Sequence, residues 1–133
     1  MDMKADLNIL LVEDSPNVLE LTKEFVKELG FEKIYTARDG SEALDRIRLM
    51  HQRGGKFDLV ISDWEMPKMD GLMLLKKIRQ NETLKNIPFI ILTANDKKEH
   101  VLKAVQAGTN NYIVKPVDPE TLDLKINDTL KIK

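Results

Sequence analysis

The chain has 133 residues, 42% of them hydrophobic and 32% charged, with a formal net charge of -1 and no cysteine. That length suits one domain with a real core, and the balanced charge argues against disorder and against a polyanion-binding surface. Disulfide and thiol chemistry are excluded, nucleic acid is not an expected partner, and the N-terminal "MDMKADLN" is too polar for a secretory signal. The longest apolar stretches, "ILLV" and "FIIL", fall far short of the run of about 20 residues that crosses a bilayer. One soluble, cytoplasmic domain spanning residues 1–133, with no membrane insertion, is the expectation.

Short β-rich runs alternate with amphipathic segments along the chain. The first run, Ile9 to Val12, leads to Ser15-Pro16, a capping residue followed by a proline suited to the first helical position. Val18, Leu21, Thr22, Phe25 and Leu29 then fall on one helical face, and Gly30 closes that helix. Lys33 to Thr36 reads as the second strand, and Asp39 with Glu42 has capping-box spacing at the head of a second helix. "MHQRGGK", Met50 to Lys56, reads as a polar surface loop. Phe57 to Ser62 is the third strand, and Leu72, Leu75 and Ile78 mark the helix that follows. A fourth strand over Pro88 to Thr93 precedes Asp96 and Glu99, again at capping-box spacing, and the helical face Val101, Ala104 and Val105, which Gly108 closes. Asn111 to Val114 is the fifth strand, and Asp118-Pro119 opens the last helix.

Strict alternation implies an α/β fold: a doubly wound five-stranded parallel sheet with helices on both faces. Right-handed crossovers, with the chain returning past strand one to place strand three, give the order 2-1-3-4-5. That order opens a crevice beyond the carboxyl ends of strands one and three. Glu13 and Asp14 directly follow "ILLV" and Asp63 follows "LVIS", so three carboxylates distant in sequence converge there. Two like charges about 4 Å apart repel by about 4 kcal/mol at an effective dielectric near 20, and a hard divalent cation relieves that strain. Oxygen-only ligands suit Mg²⁺ together with a phosphate. Zinc is not indicated, because His51 and His100 have no ligand spacing and read as solvated surface groups. Thr93 ends "FIILT" and Lys115 ends "NYIVK", bringing a hydroxyl and an ammonium to the same edge. A carboxylate so surrounded is suited to accept a phosphoryl group, with Asp63 as the nucleophile.

The segments "LLVEDS", "ARDGSEAL", "VISDWEMPKMDGL", "PFIILTA" and "AGTNNYIVKP" cover essentially the whole chain. Together they resemble the receiver domain of two-component response regulators, especially the single-domain chemotaxis regulators of the CheY type. The resemblance implies a CheY-like, flavodoxin-like (βα)5 fold and a phosphorylation-activated switch rather than a turnover enzyme. It casts Asp63 as phosphoacceptor, Asp14 and Asp63 as direct Mg²⁺ ligands, Glu65 as a ligand through its backbone carbonyl, and Glu13 as a ligand acting through water. Glu13 stands where many members carry Asp. Thr93 and Tyr112 take the switch positions, and Lys115 the phosphoryl-binding position with its following proline in a cis peptide. Glu65 and Asn95, two positions beyond Asp63 and Thr93, are cast as residues that tune dephosphorylation. The implied partners of this monomer are a histidine kinase, a downstream protein such as a flagellar motor switch protein on the face of helix four, strand five and helix five, and a phosphatase. A phosphorelay intermediate or a receiver excised from a longer regulator is the alternative.

Taken singly, these residues have ordinary explanations. An acid after a strand is usually a turn or cap residue, Thr93 a strand residue, Lys115 solvated and Tyr112 a half-buried aromatic. Trp64 beside a charged crevice reads as partly exposed, and Met66, Met69 and Met73 as core packing or loop filling. An aspartyl-phosphate phosphohydrolase would place its Asp-x-Asp-like pair after the first strand and add a cap domain, whereas Asp63 and Glu65 follow the third. A phosphorylation-independent scaffold would have lost Asp63, an acid or Lys115, and all are present.

Overall fold

The computed structural model of the chain describes residues 3–132. Five parallel strands, β1 (Asn8–Val12), β2 (Lys33–Ala37), β3 (Leu59–Asp63), β4 (Phe89–Thr93) and β5 (Asn111–Val114), lie in the order β2-β1-β3-β4-β5. Four α-helices connect them, α1 (Pro16–Glu28), α2 (Gly40–Gln52), α3 (Gly71–Gln80) and α4 (Lys98–Ala107), and α5 (Pro119–Leu130) follows β5. This is the doubly wound five-stranded sheet that the alternation implies, and the CheY-like, flavodoxin-like fold that the resemblance implies.

Side chains alternate across each strand, so one sheet face presents Leu10, Val12, Val60, Phe89 and Ile91, and the other Ile9, Leu11, Leu59, Ile61, Ile90 and Leu92. The first set packs with Leu44 and Ile47 of α2, Leu74, Leu75 and Ile78 of α3, and Ala104 of α4. The second packs with Val26 of α1 and Leu122 and Ile126 of α5. Every residue of β3 and of β4 is buried. A parallel sheet covered on both faces requires such near-continuous apolar runs, and it fixes the strand ends that carry the polar groups.

Asp39 caps α2 by accepting from the Glu42 N–H at 2.8 Å, Asp118 caps α5 by accepting from the Thr121 N–H at 2.8 Å, and Gly108 closes α4 with φ 98°. Four local expectations are corrected. Ser15 stands at the cap position of α1 but its hydroxyl makes no cap hydrogen bond; its N–H donates to Glu13 Oε2 at 3.1 Å. Helix α4 starts at Lys98 with Lys97 at the cap position and no side-chain cap, since Asn95, not Asp96, accepts from the Lys97 N–H at 2.9 Å. Met50, His51 and Gln52 continue α2, leaving a shorter loop, because Met50 packs against the core. The third strand is also shifted: Phe57 packs before it, Asp58 accepts from the Asn8 N–H at 2.8 Å, and Asp63 itself ends it.

Gly71 brings the start of α3 against the end of β3. Its N–H donates to Trp64 O at 2.8 Å, and a Cβ there would collide with the Asp63 carbonyl oxygen and lie 3.0 Å from Trp64 Cα. Backbone atoms cannot yield cheaply, so a side chain here would displace the strand end that carries Asp63. Gly71→Ala should therefore lose about 1–3 kcal/mol despite the better helix propensity of alanine. Urea unfolding of the variant checks this, and a midpoint at or above that of the wild type would contradict it.

Candidate phosphoryl-accepting site

Strand order alone brings distant polar residues together. Strands β1 and β3 are neighbours, with Val12 opposite Ser62, so Glu13 and Asp14 beyond β1 meet Asp63 at the end of β3. One carboxylate oxygen from each of Glu13, Asp14 and Asp63 lies within 4.8 Å of the others. Glu13 and Asp63 are buried, and Asp14 is exposed at the mouth. An all-oxygen donor set of this size, open on one side, fits a hard divalent cation that keeps part of its water.

Lys115, just past β5, crosses the top of β4 to reach the acids. Its Nζ lies 3.0 Å from Asp63 Oδ1 and 3.0 Å from Glu13 Oε1. The Trp64 N–H donates to the same Asp63 Oδ1 at 2.9 Å, so both N–H donors act on one oxygen of that carboxylate. Thr93 ends β4 and is buried, and its hydroxyl accepts from the Asn95 N–H at 3.0 Å. The Lys115-Pro116 peptide is cis. The site thus combines a cation cradle, a buried carboxylate, an ammonium and a hydroxyl.

A family model of the response regulator receiver domain matches residues 9–127. The chain belongs to that family. The receiver is 39% identical over 125 residues to chemotaxis protein CheY-3 of Vibrio cholerae, a match covering 94% of this chain and 92% of that protein. It is 38% identical over 120 residues to chemotaxis protein CheY of Pseudomonas aeruginosa, covering 90% and 93%. Among solved structures, the CheX-CheY-BeF3-Mg complex from Borrelia burgdorferi contains a chain of similar fold, with TM-score 0.84, 30% identity, and coverage of 96% of this chain and 90% of that one.

Within the receiver, Glu13, Asp14, Asp63, Thr93 and Lys115 come to the same sheet edge, and Glu65, Asn95 and Tyr112 lie around it. Glu65 is exposed and Asn95 half-buried, both at the rim. Tyr112 is partly buried on β5, with Lys125 Nζ 5.2 Å from its ring centroid. Met66 and Met69 pack against the core, whereas Met73 is about half exposed at 48%. Trp64, expected to be partly exposed, is buried, and His100, expected to be solvated, stacks on its ring. Sequence periodicity holds no signal for that pair, because Trp64 lies in the loop after β3 and His100 in the first turn of α4, and the two meet only through the fold. His51 is exposed as expected.

Burial pushes the Asp63 carboxyl above its ordinary 3.8, and the hydrogen bond and charge of Lys115 oppose this without overcoming it. Burial lowers the Lys115 ammonium, but Asp63 and Glu13 outweigh that, and its value rises above 10.5. The two directions agree physically: Lys115 keeps 25% of its side chain exposed against 5% for Asp63, so desolvation weighs more on the carboxylate. Asp14 is also raised, by desolvation and then by Glu13.

A raised carboxyl binds more protons folded than unfolded, so Asp63 lowers stability as pH climbs from 3.8 through its folded value. Lys115 has the same slope in a higher window: it contributes stability that is fully present below 10.5 and is lost as pH rises through its folded value. Asp63→Asn should accordingly melt above wild type near pH ~7, with the gap narrowing toward pH ~4. Melting by circular dichroism across that range checks the sign, and a variant melting below wild type at neutral pH would contradict it.

Proposed function

We propose that this receiver, one domain over residues 1–133, is a cytoplasmic chemotaxis switch that takes a phosphoryl group from a histidine kinase onto Asp63. The observation that carries this reading is the convergence of Glu13, Asp14 and Asp63 with Lys115 Nζ, 3.0 Å from Asp63 Oδ1. Relatives of similar length are chemotaxis proteins, and the related Borrelia burgdorferi chain was solved in a complex with CheX, BeF3 and Mg.

Asp14 and Asp63 are the direct Mg²⁺ ligands in this reading, with the Glu65 backbone carbonyl beside them and Glu13 acting through water. When bound, Mg²⁺ offsets negative charge on the phosphoryl oxygens. An Asp63 carboxylate oxygen attacks phosphorus in line; the P–N bond to the donor imidazole breaks, and its electron pair stays on the imidazole nitrogen. Lys115 then exchanges a carboxylate contact for a phosphoryl oxygen, and the Thr93 hydroxyl, held on the Asn95 N–H, turns toward another. Tyr112 beside Lys125 follows Thr93 inward. Hydrolysis of the acyl phosphate resets the switch, with Glu65 and Asn95 at the rim governing the approach of water.

Output leaves through α4, β5 and α5, where Leu102, Val105 and Leu124 are exposed at 49%, 54% and 70%. In this reading that face binds a flagellar motor switch protein, with a phosphatase as a further partner. The receiver acts as a monomer and turns over no substrate other than its own phosphoryl group.

Incubation with Mg²⁺ and acetyl phosphate should add one phosphoryl mass to the wild type, and none to Asp63→Asn or to wild type in EDTA. Lys115→Ala should be phosphorylated on the order of a hundredfold more slowly, as expected for loss of one charge-stabilising donor. Intact-mass spectrometry reads all arms, and an unchanged adduct in Asp63→Asn would overturn the assignment.

A further inference from the structure

Trp64 and His100 make a contact that phosphoryl transfer itself does not require. Their rings stack with centroids 3.6 Å apart and planes inclined by 21°, joining the residue after Asp63 to the first turn of α4. The backbone N–H of Trp64 is shared between Leu92 O at 2.8 Å and Asp63 Oδ1 at 2.9 Å, so the backbone that carries the indole is fixed against the acceptor carboxylate. The other anchors of helix α4 lie toward its C-terminal end, where Ala107 packs against the core and Gly108 O accepts from Arg79 Nε at 2.9 Å. Ala104 is its one buried residue, and its cap position, Lys97, supplies no side-chain hydrogen bond. Much of what fixes its first turn is therefore the His100 ring.

The same contact carries a cost. His100 Nε2 is buried and has no hydrogen-bond partner among the described residues, and a desolvated ring nitrogen is worse off than one that reaches water. Stacking offsets that cost while α4 stays in place, and movement of α4 would relieve it. Opposed terms at a single side chain make the placement of α4 sensitive to that side chain.

We propose that His100 is a positioning residue, whose imidazole on Trp64 clamps α4 to the segment after Asp63 and biases the receiver toward its unphosphorylated arrangement. The proposal rests on Asp63 being the phosphoacceptor. It makes opposite predictions for two replacements of one side chain. His100→Phe keeps a stacking ring without the stranded nitrogen and tightens the clamp, whereas His100→Ala removes it.

At limiting acetyl phosphate with Mg²⁺, the steady-state phosphorylated fraction should fall in the order His100→Ala, wild type, His100→Phe, with steps of about threefold. Amide exchange across α4 without phosphodonor should follow the same order. If His100→Ala does not fold, His100→Gln, which fills the space without a ring, takes its place. Variants that leave the phosphorylated fraction unmoved, or shift it in the same direction, overturn the proposal, even where exchange changes, because the ring would then be structural only. A wild type that takes up no phosphoryl group removes the reading of Asp63, and this proposal with it; a phosphorylated wild type with unmoved variants removes this proposal alone.

Discussion

Lys115 holds the site together. Its ammonium stands 3.0 Å from both Asp63 and Glu13, in a corner where those two acids and Asp14 would otherwise confront one another. One cation among three carboxylates leaves an excess of negative charge, and burial of Asp63 sharpens the imbalance. The excess suits the corner to a divalent cation, and under the proposed function the ammonium is the group that turns from carboxylate to phosphoryl oxygen. An acidic cluster alone would suit a metal; Lys115, reaching across β4, would add the means to stabilise a transferring phosphoryl group.

The scaffold makes that encounter unavoidable. With β1 beside β3 and β5 beside β4, the polar residues beyond three apolar strands arrive at one edge, 102 residues apart along the chain between Glu13 and Lys115. Close backbone packing keeps them there: Gly71 lets α3 start against the Asp63 carbonyl, and Asp63 Oδ1 is held by the Trp64 N–H. The core is strongest beneath β3 and β4, which are buried throughout, and thinnest under α4. A rigid base for the chemistry beside a loosely anchored helix is the arrangement a switch requires.

The architecture and the charged cluster were legible in the sequence because both follow from local patterns: apolar runs of strand length, helical spacing, and a polar residue after each run. What escaped depended on tertiary competition. Ser15 stands at the cap position without its hydroxyl capping, its N–H drawn to Glu13; Asp96 has the spacing of a cap, but with Asn95 Oδ1 accepting from the Lys97 N–H the cap position falls one residue later, at Lys97. Trp64 looked exposed because its neighbours are charged, and His100 looked solvated because its helix is polar. Each covers the other, which neither environment reveals alone.

Locating the phosphoryl group on the chain tests this account most directly. Borohydride reduces an aspartyl phosphate to homoserine, so peptides from the Mg²⁺-treated and acetyl phosphate-treated protein should carry homoserine at position 63 and nowhere else. Homoserine at position 14, or a phosphorylated protein with position 63 unmodified, would contradict it.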